Sequence, residues 1–167
     1  MKKQISLVVL VLGAIFGVAA SPVFIGKAKV VDGDTLVLET FLGKKRIRLF
    51  GIDAVEKKQS CVRRQNKESW PCGQEATRFL KTLAEGRLVF CLSKDKDRYG
   101  RIVAACYAEP QSLNAIMVRE GWAIDYTHYS KGAYDTAQRL ARQEKRGIWS
   151  STFEIPEAYR RGRRHDG

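Results

Sequence analysis

Apolar and polar residues alternate from Phe24 to Ile52 in a pattern that predicts three β-strands. "FIGKAKVV" leads into DGDT at 32–35, "TLVLET" runs into a turn at "FLGKK", and "RIRLFGID" follows. In "RIRLF", Arg46 and Arg48 alternate with Ile47 and Leu49, so the two arginines share one face. Residues 57–71, "KKQSCVRRQNKESWP", are polar and basic and read as a loop. Beyond Pro71, Ala76, Phe79, Leu80 and Leu83 recur at helical spacing as far as Gly86. "RLVFCLS" and "RIVAACYA" are two further strands joined by "KDKDRYG". "SLNAIMVREG" predicts a short helix from Ser112 to Gly121, and "YDTAQRLARQEKRG" a longer one ending at Gly147. The tail from Tyr159, "YRRGRRHDG", is basic and expected to be loose. Three strands, a helix, two strands and two helices make an α+β chain. Its order is that of a five-stranded OB-type Greek-key barrel with three α-helices, a scaffold that commonly binds nucleic acid or sugars.

The first 20 residues stand apart. Lys2 and Lys3, an apolar run from Ile5 to Val18, and the small residues Val18-Ala19-Ala20 have the layout of a signal peptide. The run is too short to span a bilayer comfortably, which favours cleavage over an anchor. Residues 21 onward then form one exported domain, periplasmic or extracellular, large enough for a real core. Losing Lys2 and Lys3 takes the formal charge from +12 to +10. So basic a domain suits an anionic partner, although charge alone does not choose between nucleic acid, anionic lipid and acidic polysaccharide.

Four cysteines, Cys61, Cys72, Cys91 and Cys106, lie in the exported part. An even count in an oxidising compartment predicts two disulfides. Three connectivities are open. Sequence-local pairing, Cys61 with Cys72 and Cys91 with Cys106, is the simplest. Zinc is disfavoured: there is no CxxC pair, and His128 and His165 lack ligand spacing.

DGDT raises a sharper question, because two aspartates interrupt a stretch that otherwise favours buried sheet. Asp32-Gly33 reads as a turn. Asp34 reads either as part of that turn or as a hard-oxygen ligand at a strand end. The ordered set of "DGDT" (32–35), "RLFGIDAVE" (48–56), "DRYGR" (97–101), the Leu113-Asn114 helix and the terminal "GIW" (147–149) resembles the staphylococcal nuclease (thermonuclease) family. Single pieces are weak; the set, in order from about Lys29 to Trp149, is specific. The cysteine pair around DRYGR and the "CGQEA" helix start are similar to exported bacterial members.

The resemblance implies a nuclease domain at 21–155, after a signal peptide at 1–20 and before a basic tail at 156–167. Asp34, Asp53 and the Ala54 carbonyl would be ligands of Ca²⁺. Arg48 and Arg101 would be the phosphate-binding arginines, and Glu56 the general base that positions water. The expected products carry 3′-phosphate ends, and the substrates are DNA and RNA cut with little sequence preference. This chain has Ala54-Val55 where the family often has Thr-Pro or Ala-Pro. A carbonyl ligand survives that change, but the turn that aims Glu56 is expected to be looser.

The residue chemistry agrees. Phosphodiester hydrolysis needs charge at the phosphoryl oxygens and an activated water. Carboxylates with a carbonyl suit Ca²⁺, and arginine forks match phosphate oxygens. Tyr99 and Tyr129 are candidates to contact phosphate or stack on a base. Lys57, Lys58, Arg63, Arg64, Lys67, Lys94 and Lys96 read as solvated charges that raise the local potential. The protein is expected to be a monomer with no membrane attachment after cleavage. A competing expectation is an OB-type nucleic-acid-binding module without catalysis. The joint presence of Asp34, Asp53, Glu56, Arg48 and Arg101 argues against it.

Overall fold

The computed structural model describes residues 21–165. The expected signal peptide at 1–20 lies outside the described residues. Five strands build the barrel: β1 (Val23–Val30), β2 (Thr35–Thr40), β3 (Gly43–Leu49), β4 (Leu88–Lys96) and β5 (Ile102–Ala108). β1 lies between β2 and β4, β5 pairs with β4, and a parallel pairing of β3 with β5 closes the cylinder. The alternation seen in the sequence is the alternation of faces. Leu36, Leu38, Ile47, Leu49, Val89 and Ala104 point inward and are fully buried. Closure removes most of the exposed sheet edge that an open sheet of this size would carry.

Helix α1 (Cys72–Ala84) closes one end of the barrel with Leu80 and Ala84. Helix α2 (Leu113–Arg119) starts at the Ser112 cap, whose side chain accepts from Ala115 N–H, and adds Leu113, Met117 and Val118 to the same core. Its Asn114 is completely buried and ties three segments together. Its amide donates to the Phe50 carbonyl at 2.8 Å and to Ala104 at 3.3 Å, and its oxygen accepts from Cys106 N–H at 2.9 Å. Asn114→Ala removes the side-chain partner of the Phe50 carbonyl and of Cys106 N–H, while the Ala104 carbonyl keeps Phe50 N–H at 2.8 Å, and should cost about 2 kcal/mol, as measured by urea unfolding.

A second core cluster joins Val55, Cys61, Trp70, Cys72, Ala76 and Ile148. Both sequence-local disulfides are present. Cys91 and Cys106 face each other across β4 and β5, and Cys61–Cys72 closes the basic segment onto the start of α1. No helix among the described residues is long and apolar enough to cross a membrane.

Four local expectations need correction. "RIRLFGID" is not one strand: Gly51 adopts φ +72° and ends it, and Ile52–Ala54 pairs instead with Ala123–Asp125. Residues 57–71 are not all loop, because Cys61–Arg63 and Ser69–Trp70 form a small ladder. The third predicted helix is shorter: α3 spans Asp135–Gln143, and Gly147–Ser150 is a separate 3₁₀ turn. The basic tail is not loose over its described residues: Pro156–His165 forms helix α4.

Candidate active site

The interruption in DGDT is both turn and site. Val31 and Asp32 donate backbone N–H groups to the Thr35 carbonyl, and Asp32 Oδ1 accepts from Asp34 N–H at 3.1 Å. Asp32 therefore shapes the turn, and Asp34 is turned inward, 3 % exposed. Asp34 Oδ1 accepts from Thr35 Oγ1 and from Arg48 Nη1, and its Oδ2 accepts from Ala54 N–H at 2.9 Å. The register of β2 against β3 sets Thr35 opposite Arg48, which brings Arg48 beside Asp34.

The strand break at Gly51 places Asp53 on the far side of the same guanidinium. Arg48 Nη2 lies 2.7 Å from Asp53 Oδ1. Asp53 is 1 % exposed, so two buried carboxylates share one half-buried arginine. Burial pushes the Asp34 carboxyl up to about 7; Arg48 pulls against that shift, while Asp32 and Asp53 add to it.

Glu56 follows on a turn held by other means than proline. Its N–H donates to Gln59 Oε1 at 3.1 Å, and its carbonyl accepts from Gln59 N–H at 2.7 Å. Gln59 is buried and also donates to the Glu154 carbonyl at 2.6 Å. The first turn of α1 presses against this segment: a Cβ at Gly73 would lie 1.7 Å from the Glu56 carbonyl oxygen. The Ala54-Val55 turn is thus braced from two sides, and Val55 is buried in the second core cluster.

Arg101 lies across the cavity. Its Nε donates to Asp97 Oδ2 at 2.7 Å, and its Nη1 is 3.5 Å from Thr35 Oγ1. Burial acts to raise the Asp97 carboxyl, but hydrogen bonds from Arg101 outweigh it and leave the group below its ordinary value. The Arg101 guanidinium is 5.6 Å from the ring centre of Tyr99, which is exposed. Tyr129 is also exposed and packs edge-on against Tyr126 and His128.

Asp34, Arg48, Ala54, Glu56, Tyr99, Arg101 and Tyr129 line one cavity of about 830 Å³, and Asp53, which does not line it, is paired to Arg48 on its wall. All the residues singled out in the sequence for chemistry meet here; the four cysteines hold the scaffold instead. Arg46, Lys96, Arg98 and Tyr126 join them on the wall.

One further residue was not foreseen. Arg160, on α4, donates through Nη1 to Asp53 Oδ1 at 2.9 Å and to Glu56 Oε1 at 2.6 Å, and through Nη2 to Asp53 Oδ2 at 2.9 Å. Burial acts to lower the basicity of Arg160, but Asp53 and Glu56 outweigh it and raise it. Pro156 at the first helical position, followed by Glu157, was the readable signal for that helix.

The donor set fits a hard divalent cation in kind. Two buried carboxylates and a neighbouring carbonyl offer oxygen only, and burial of Asp34 disfavours its charged form. No group of three or more His, Cys, Asp or Glu poised to hold a metal is present among the described residues. Water or substrate oxygens would have to complete the coordination of a cation here.

Residues 46–151 match the family described as Staphylococcal nuclease homologue. An "Uncharacterized endonuclease" of Escherichia coli is 37 % identical over 130 residues, covering 77 % of this chain and 78 % of its own length. The "Succinoglycan biosynthesis protein ExoI" of Rhizobium meliloti is 35 % identical over 147 residues, covering 87 % and 74 %. "Staphylococcal-like nuclease CAN1" of Arabidopsis thaliana is 36 % identical over 129 residues, covering 75 % of this chain and 36 % of its own. With more than half of its length matched to the family and a closed barrel carrying this site, the chain belongs to the staphylococcal nuclease homologues and is a nuclease.

Proposed function

We propose that the protein is an exported, Ca²⁺-dependent endonuclease that hydrolyses DNA and RNA with little sequence preference and leaves 3′-phosphate ends. The observation that carries this reading is the meeting of Asp34, Arg48, Glu56 and Arg101 around one open cavity, with Asp53 paired to Arg48. Asp34, Asp53 and the Ala54 carbonyl would hold the cation. Bound Ca²⁺ supplies positive charge at the phosphoryl oxygens. Glu56 orients the attacking water and takes its proton. Arg48 and Arg101 offer planar donors to the phosphate as charge builds on it, and the 5′ oxygen leaves. Tyr99 and Tyr129, exposed on the rim, offer faces on which bases of any sequence can stack. The two disulfides support export to an oxidising compartment. A monomer suffices for this reading, since each proposed role falls to a residue of the one chain.

Residues 21–167 incubated with plasmid DNA and with RNA, in Ca²⁺ or in chelator, test the reading. Cleavage of both substrates only with Ca²⁺, with 3′-phosphate ends, is the expected result. Undiminished cleavage in chelator, or 5′-phosphate ends, refutes the mechanism. Tight binding without cleavage would leave a binding module. Binding to an uncleavable duplex should weaken steeply as salt rises, because residues 21–167 carry a formal charge of +10 once Lys2 and Lys3 are removed from the +12 of the whole chain, and phosphate contacts dominate.

A further inference from the structure

We propose that Arg160 and a divalent cation are alternative partners of Asp53, which makes helix α4 a latch on the site that the cation releases. The proposal rests on the cation reading above. Asp53 has two carboxylate oxygens, and guanidinium groups cover both. Oδ1 accepts from Arg48 and Arg160, and Oδ2 accepts from Arg160 at 2.9 Å. A Ca²⁺ ion ligated by Asp53 would sit roughly 2.3–2.6 Å from one of these oxygens. At that distance it would meet a like-charged guanidinium on the same atom, so one arginine has to give way.

Arg48 is the poorer candidate to move. It is rooted in the closed barrel, is also bound to Asp34, and is 16 % exposed at its side chain. Arg160 is 30 % exposed and is carried by a terminal helix of ten residues. So short a helix is marginal without its docking contacts. Those contacts include Pro156, which is buried, and the Tyr159 hydroxyl at 3.3 Å from the Lys58 carbonyl. The guanidinium that covers Asp53 also holds Glu56 at 2.6 Å. The same displacement therefore uncovers the ligand and releases Glu56 toward water. Linkage makes the effect reciprocal: the cation loosens α4, and loss of the Arg160 contact tightens cation binding.

The test combines calorimetric Ca²⁺ titration of the wild type, Arg160→Ala and Asp53→Asn with amide hydrogen exchange of wild-type residues 157–162, with and without Ca²⁺. Arg160→Ala is expected to bind Ca²⁺ about fivefold more tightly or better. In the wild type, Ca²⁺ is expected to speed exchange in α4. Equal affinity in the wild type and Arg160→Ala, with exchange in α4 unchanged by Ca²⁺, overturns the latch and leaves the cation reading standing. Weaker binding by Arg160→Ala also overturns it, making Arg160 a support of the ligand set. Wild type and Arg160→Ala that both remain folded and take up no Ca²⁺ remove the cation reading and the latch together. Asp53→Asn should bind poorly in every case in which the cation reading holds.

Discussion

Glu56→Gln and Arg101→Ala should each slow single-turnover cleavage of a labelled oligonucleotide by on the order of 10²- to 10³-fold, with little change in affinity for an uncleavable duplex. Both effects belong to the transition state. Gln keeps the shape of Glu56 and an amide oxygen that can still accept from Arg160, but it cannot take a proton from water. The backbone of residue 56 is fixed by Gln59 and by the close approach of Gly73, so the change stays local. Arg101→Ala removes a guanidinium held by Asp97 at the cavity wall. Loss of that partly exposed ion pair should cost the fold little, which separates a rate effect from unfolding. Arg63 supplies the contrast. Its guanidinium stacks 4.7 Å from the Trp70 ring and does not line the cavity, so Arg63→Ala should alter affinity more than rate. Wild-type rates in both Glu56→Gln and Arg101→Ala would remove these residues from the chemistry.

The sequence announced the barrel because its strands alternate cleanly, with Ile47 and Leu49 inside and Arg46 and Arg48 outside. It announced most of the site because aspartates and arginines stand where sheet-forming residues are expected. Other features were not legible, for physical reasons. The turn after Phe50 depends on one glycine at positive φ inside an otherwise strand-like run, and hydrophobic pattern carries no φ. The bracing of Glu56 comes from Gln59, a polar residue in a basic segment, whose burial follows only from the folded course of the chain. Arg160 was hidden for a related reason. Helix α4 is docked in part by a guanidinium on two carboxylates more than a hundred residues earlier, and apolar periodicity does not report a polar docking contact of that range.

Arg48→Ala should be the most damaging single change to the fold around the site, costing about 3–5 kcal/mol in urea unfolding at pH 9 in chelator. Arg48 lies between two buried carboxylates, and its removal leaves Asp34 without a cationic partner, whereas Asp53 keeps Arg160. The cost depends on pH, and its sign follows from Asp34. Mainly through burial, the folded chain holds the Asp34 proton up to about pH 7, above its ordinary value of 3.8. The stability tied to that proton is complete below the ordinary value and is lost as pH rises through about 7. Arg48 is the group that pulls the carboxyl back down, so its loss raises the folded value further and carries the decline to higher pH. Arg48→Ala should therefore cost less at pH 5, where Asp34 is already neutral, than at pH 9. Asp34→Asn removes the titrating group and should flatten this dependence in chelator. In the double variant it should recover part of the Arg48→Ala loss, a coupling that a double-mutant cycle reads directly. A loss as large at pH 5 as at pH 9, with no coupling in the cycle, would mean that Arg48 is not held in the fold by the charge of Asp34. Its place in the site would then rest on the substrate phosphate alone.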